Sequence, residues 1–128
     1  MNFNTYDEYT FGKCIKIRRE ERGLSIRTVS KFLEISPTYL NDIEKGSRKA
    51  PKKELMQKII NVLEIPDYQI EDLFDMAFVS RGYSEEINIY LSNNIYARKA
   101  IRLAKELQLS DEEWKEIIVK LEEKKSRI

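Results

Sequence analysis

The stretch from Ser25 to Gly46 constrains this chain most, because its punctuation admits two short amphipathic helices joined by a tight turn and little else. Ser25 is a good N-cap, and Val29, Phe32 and Leu33 follow at the spacing of one helical face. Ser36 caps a second helix, Pro37 takes its first position, and Gly46 stops it. Leu40 and Ile43 are then expected to point inward, leaving Thr38, Tyr39, Asn41, Asp42 and Lys45 outside. A short helix with an apolar inner face and an outer face rich in donors and acceptors fits a DNA major groove. DNA binding is the first expectation.

The rest of the periodicity is helical as well. Phe11, Ile15 and Arg18-Arg19 mark a first helix from about Thr10 to Arg22, closed by Gly23. Thr5-Tyr6-Asp7-Glu8 has the spacing of a capping box, which would start it earlier. Leu55, Ile59, Val62 and Leu63 predict a fourth helix from about Lys52, broken by Pro66. Ile70, Leu73, Phe74, Ala77 and Phe78 predict a fifth. Five helices complete a domain over residues 1–79, and the Ser80–Ser84 stretch is the expected boundary. In the remainder, 80–128, a short helical stretch from Glu85 to Leu91 precedes a helix with Ala97, Ala100, Ile101, Ala104 and Leu107 inward. A capping box at Ser110–Glu113 then opens a last helix bearing Trp114, Ile117, Ile118 and Leu121 on one stripe. The expected architecture is all-α, a five-helix domain with a C-terminal helical extension.

Charge is divided unevenly along this plan. The net is only +1, yet residues 1–66 hold thirteen Lys and Arg against nine Asp and Glu, whereas residues 67–128 hold ten against thirteen. That asymmetry suits a DNA-facing half followed by a half with another task. There is no histidine, which removes the commonest general base and zinc ligand, and Cys14 is alone, so no intrachain disulfide forms. The carboxylates sit among lysines on helix faces, as a solvated surface does. We therefore expect no enzyme, no metal and no cofactor. No apolar run approaches the roughly 18 residues of a membrane span, and the N-terminus lacks a signal peptide's basic and apolar regions, so a cytoplasmic protein is expected.

The order and spacing of these features carry a resemblance. Phe11-Gly12 through Arg19, Gly23-Leu24-Ser25, the two helices, Ile43-Glu44-Lys45-Gly46 and the basic loop to Pro51 resemble the lambda-repressor-like (Xre-type) DNA-binding domain over residues 10–77. Ile101–Lys105 with Asp111–Trp114 is similar to the helical tail of some bacterial and phage-derived regulators of that type. The resemblance implies that the Ser36–Lys45 helix enters the major groove. Thr38, Tyr39 and Asn41 match base-reading positions, with Asn41 set for a bidentate contact to adenine. Asp42, beside them, would accept from a cytosine amine or pair with Lys45. Arg27 matches a position near the DNA backbone, and Arg48, Lys49, Lys52 and Lys53, with Lys45, match phosphate-gripping positions. Arg19 and Glu44 match a structural ion pair between the first and third helices.

Three departures stand out, one of them Asp42, which would repel phosphate unless it makes one of those pairings. Ile26 replaces a Gln that many relatives use to read a base or brace the recognition helix, and Glu34 occupies a turn position where Gly often sits. The implied function is a sequence-specific regulator of transcription, a repressor acting as a homodimer on a double-stranded operator. Trp114, Ile117, Ile118 and Leu121 then form the dimer or partner interface. The alternative is an antitoxin-like or adaptor protein acting through its helices on another protein.

Overall fold

The computed structural model describes residues 10–128, and the expected capping box at Thr5–Glu8 lies outside them. Regular structure among the described residues is entirely α-helical: α1 (Phe11–Glu21), α2 (Ile26–Leu33), α3 (Pro37–Lys45), α4 (Lys53–Val62), α5 (Asp67–Arg81), α6 (Glu85–Ser92), α7 (Ile95–Glu106) and α8 (Asp111–Ser126). The described residues divide into two compact units, one ending at Ser84 and the other running from Glu85 to Ile128.

Capping side chains account for most helix starts in both units. Thr10 accepts from the Lys13 N–H, Ser25 from Thr28, Ser36 from Tyr39, Asn94 from Ala97 and Ser110 from Glu113. Each satisfies one of the amide donors that a helix start leaves unpaired. At Ser110 the box is reciprocal, because the Glu113 carboxylate accepts from the Ser110 N–H.

Helix ends repeat a second device. Glu34, Glu64 and Gln108 all take the left-handed conformation, at φ 58°, 51° and 50°. Each is followed by an apolar residue whose N–H reaches back into the last turn: Ile35 to the Ser30 carbonyl, Ile65 to Ile60 and Leu109 to Ala104. A side chain in this conformation costs about 1–2 kcal/mol, which the paired carbonyls and the returning apolar residue offset. The end of α4 gains a further cap from α1: Arg18 donates to the carbonyls of Leu63 (3.0 Å) and Glu64 (2.7 Å).

In the first unit α1 packs on α3 and α5, and α2 packs on α3 and α4. Phe11, Cys14, Ile15, Val29, Leu33, Leu40, Ile43, Met56, Ile59, Leu63, Leu73 and Met76 form the dry centre. Burial pushes the Cys14 thiol up to about 11, with nearby Lys13 opposing weakly, and its sulfur lies 3.6 Å from that of Met76. It is a core residue and not an activated thiol.

The inner face of α2 differs from the sequence expectation. Phe32 is 66% exposed, and the stripe is Ile26, Val29, Ser30 and Leu33. Ser30 fits there because its hydroxyl donates to the Arg27 carbonyl at 3.0 Å, so a buried polar atom costs little. Ile26 accordingly packs toward the core. On α5, Phe78 is largely exposed while Met76 and Gln69 are buried, which widens that helix's inner face beyond the predicted stripe.

In the second unit α6 packs on α7. Only Ala104 of the five residues expected inward on α7 is buried; Ala97 is half-buried, and Ala100, Ile101 and Leu107 are exposed. The α8 helix buries none of its residues. Its stripe of Trp114, Ile117, Ile118 and Leu121 is only partly covered, at 37%, 37%, 50% and 62% exposure.

Candidate nucleic-acid interface

The geometry of the candidate site begins with α3, which two local signals fix at its ends. Ser36 Oγ accepts from the Tyr39 N–H at 3.0 Å with Pro37 in the first turn, and Gly46 closes the helix at φ 82°. Leu40 and Ile43 are buried on its inner side. Thr38 and Lys45 are exposed, while Tyr39, Asn41 and Asp42 are half-buried. The outer face is thus polar, ordered at both ends and set by the core behind it.

Orientation about the helix axis depends on a buried ion pair. Arg19 Nε donates to Glu44 Oε2 at 2.8 Å and Nη2 to Oε1 at 2.9 Å, a two-pronged bond between α1 and α3. Arg19 Nη1 also donates to the Leu24 carbonyl at 2.9 Å. The two side chains are only 10% and 2% exposed. The hydrogen bonds to Glu44 hold the guanidinium pKa above its ordinary value, against the opposing effect of burial.

Beyond Gly46 the chain stays close to α3. The Asp42 carbonyl accepts from the N–H groups of Ser47 (3.0 Å) and Arg48 (3.2 Å) and from the Ser47 hydroxyl (3.3 Å). That places the Arg48 guanidinium over the Tyr39 ring, 5.8 Å from its centroid, a cation–π contact between an expected phosphate ligand and an expected base reader. Arg48, Lys49, Lys52 and Lys53 are all exposed, with buried Ala50 and Pro51 between them. Lys52 stands at the start of α4 with no side-chain cap, so that helix turns amide donors and a positive dipole end toward the same loop. Arg27 is exposed in the first turn of α2, which ends at the turn leading into α3.

Arg27 lies on α2, Lys49 in the loop, Lys52 and Lys53 at the start of α4, and Arg19 with Glu44 across α1 and α3; the remaining expected residues fall into two sets. Thr38, Tyr39, Asn41, Asp42, Lys45 and Arg48 share α3 and the loop just after it, while Trp114, Ile117, Ile118 and Leu121 lie on α8 in the second unit. Sequence reasoning missed Ser80 and Arg81 of α5. Ser80 Oγ accepts from the Ala50 N–H at 2.9 Å, and Arg81 Nη1 donates to the Pro51 carbonyl at 3.2 Å. Nothing local in the sequence signals either bond, since each spans 30 residues.

No group of His, Cys, Asp and Glu that could hold a metal ion occurs among the described residues. No helix among them is long and apolar enough to cross a membrane.

From α2 to the start of α4 the chain forms a capped helix-turn-helix with a polar outer face, followed by a cationic loop. Residues 15–70 match the helix-turn-helix family model. The HTH-type transcriptional repressor RghR of Bacillus subtilis (strain 168) is 28% identical over 79 residues, covering 62% of this chain and 53% of its own. The HTH-type transcriptional regulator SlrR of the same organism is 26% identical over 87 residues, covering 67% and 57%. The chain spans little more than half the length of these curated relatives. A chain of the SinR protein/SinI protein complex superposes with a TM-score of 0.46 at 21% identity, over 91% of this chain and 99% of its own.

Proposed function

We propose that this protein is a repressor of transcription that binds a double-stranded operator as a homodimer, with α3 in the major groove of each half-site. The first five helices would form the DNA-binding domain and α6–α8 the extension, and the protein would work in the cytoplasm. The observation that carries the reading is the outer face of α3 continuing into the loop cations through the Tyr39–Arg48 contact. A base-reading surface and a phosphate-gripping one are then a single continuous patch. Asn41 would read adenine, Thr38 and Tyr39 a thymine methyl group, and Asp42 a cytosine amine, while Arg27, Lys45, Arg48, Lys49, Lys52 and Lys53 hold the backbone.

Selection from a pool of random duplexes, followed by a salt titration of the selected site, tests this. Arg27, Arg48, Lys49, Lys52 and Lys53 of two protomers offer ten cations; if half of them meet phosphate, the log–log slope of affinity against salt is about −4 or steeper. Asn41→Ala should relax one position per half-site and cost about 1–3 kcal/mol for a bidentate contact, whereas Lys49→Ala weakens all sequences alike. A flat salt titration, or an unchanged sequence preference in Asn41→Ala, counts against the assigned face.

One helix-turn-helix makes few base contacts, and pairing across a two-fold axis is the usual route to specific affinities of about 10⁻⁸ M or tighter. The partly exposed stripe of α8 supports that role. Trp114 is 37% exposed, so of the up to about 250 Å² that an indole can bury roughly 90 Å² remains to be covered on each chain, worth about 2 kcal/mol per chain at roughly 25 cal/mol per Å². Sedimentation equilibrium should find wild-type dimers and mostly monomeric Trp114→Ala, with operator affinity falling in parallel. Dimers that persist unchanged in the variant would assign the stripe to another protein partner.

A further inference from the structure

We propose that Ser80 and Arg81, on the last turn of α5, are positioning residues for the phosphate-facing loop between α3 and α4. The proposal rests on the DNA-binding reading and extends it to residues outside the helix-turn-helix. The loop carries Arg48 and Lys49 on one side of Ala50-Pro51 and Lys52 and Lys53 on the other. Four like charges in six residues repel one another, so this backbone needs an anchor to hold them in one arrangement. The Asp42 carbonyl anchors only its first half, through Ser47 and Arg48.

The second half is held from α5. The Ala50 N–H is paired by Ser80 Oγ, and the Pro51 carbonyl by Arg81 Nη1. These two bonds fix adjacent, buried residues at the midpoint of the four cations, so the amides leading into α4 are aimed before any DNA arrives. Arg81 is itself held, its guanidinium 4.5 Å from the centre of the Tyr83 ring and hydrogen-bonded to the Tyr83 hydroxyl. Pre-ordering the loop removes part of the entropy cost of closing it on a phosphate backbone.

The test uses the full chain and a 30-base-pair duplex of arbitrary mixed sequence, since phosphate contacts do not depend on sequence. Binding is followed by fluorescence anisotropy across a salt series, alongside thermal unfolding, for wild type, Ser80→Ala, Ser80→Thr and Arg81→Ala. Ser80→Ala should bind roughly three- to tenfold more weakly, the equilibrium worth of about one net hydrogen bond. Its log–log salt slope should be shallower by about one per protomer, as a lost phosphate contact requires. Arg81→Ala should act in the same direction, and Ser80→Thr, which keeps the hydroxyl, should restore both affinity and slope. A merely structural role would lower the melting temperature and leave the slope of the folded protein untouched, and that result overturns the proposal. Wild-type slope and affinity in both alanine variants also overturn it. Failure of the wild type to show salt-dependent binding would instead remove the DNA-binding reading, and this inference with it.

Discussion

Glu44→Ala should be the most damaging single truncation in the first unit, costing about 3–5 kcal/mol of folding free energy. The reason is not the strength of the lost bond alone. With Glu44 gone, Arg19 keeps the Leu24 carbonyl and a long 4.0 Å pairing with the exposed Glu20 carboxylate, while its charge stays in a site where the side chain is 10% exposed. A domain of this size has roughly 5–15 kcal/mol in total, so the variant should sit near the edge of folding. Urea unfolding monitored by circular dichroism would report it as a lower midpoint at an unchanged m-value. A double change, Arg19→Met with Glu44→Leu, should recover most of the loss, because an apolar pair needs no charge compensation. If Glu44→Ala unfolds within about 1 kcal/mol of wild type, the pair is solvated in solution and contributes as a surface ion pair would.

Gly12→Ala should destabilise by about 2–3 kcal/mol or more, although replacing glycine by alanine within a helix ordinarily gains up to about 1 kcal/mol. A Cβ placed on Gly12 would lie 2.1 Å from the Ile43 carbonyl oxygen and 2.8 Å from that of Glu44. Those are backbone atoms of α3, so the strain cannot relax by a side-chain turn, and the two helices must separate. For a domain of this size each kcal/mol moves the melting temperature by roughly 4–8 °C, so a fall of about 10 °C or more is expected by calorimetry. On the proposed function, DNA affinity should fall as well, because the displaced helix is the one that bears Thr38, Tyr39 and Asn41. A melting temperature at or above that of wild type would show that α1 and α3 do not approach so closely in solution.

Both substitutions act at the α1–α3 contact, where local sequence is least informative. Helix starts were legible because their causes lie within three residues: Ser25, Ser36 and Ser110 each pair an amide three positions on. Gly46 ends α3 for an equally local reason. The Arg19–Glu44 bond spans 25 residues and followed from family resemblance rather than from spacing. The stripe of α2 was misread because apolarity alone selected Phe32 over Ser30, and only the Arg27 carbonyl shows why a serine can be buried there.

What the sequence determined by itself is therefore the set of features whose physics is local: the helical course of the described residues, the caps, the outer-face residues of α3 and the apolar stripe of α8. Tertiary structure alone decided which groups meet across the fold. It set the close approach of Gly12 to α3, the capping of α4 by Arg18, the placement of Arg48 over Tyr39, and the anchoring of Ala50 and Pro51 by Ser80 and Arg81. Such contacts depend on how helices are oriented by the core that they share, and periodicity within one helix carries no information about its neighbour's register or distance.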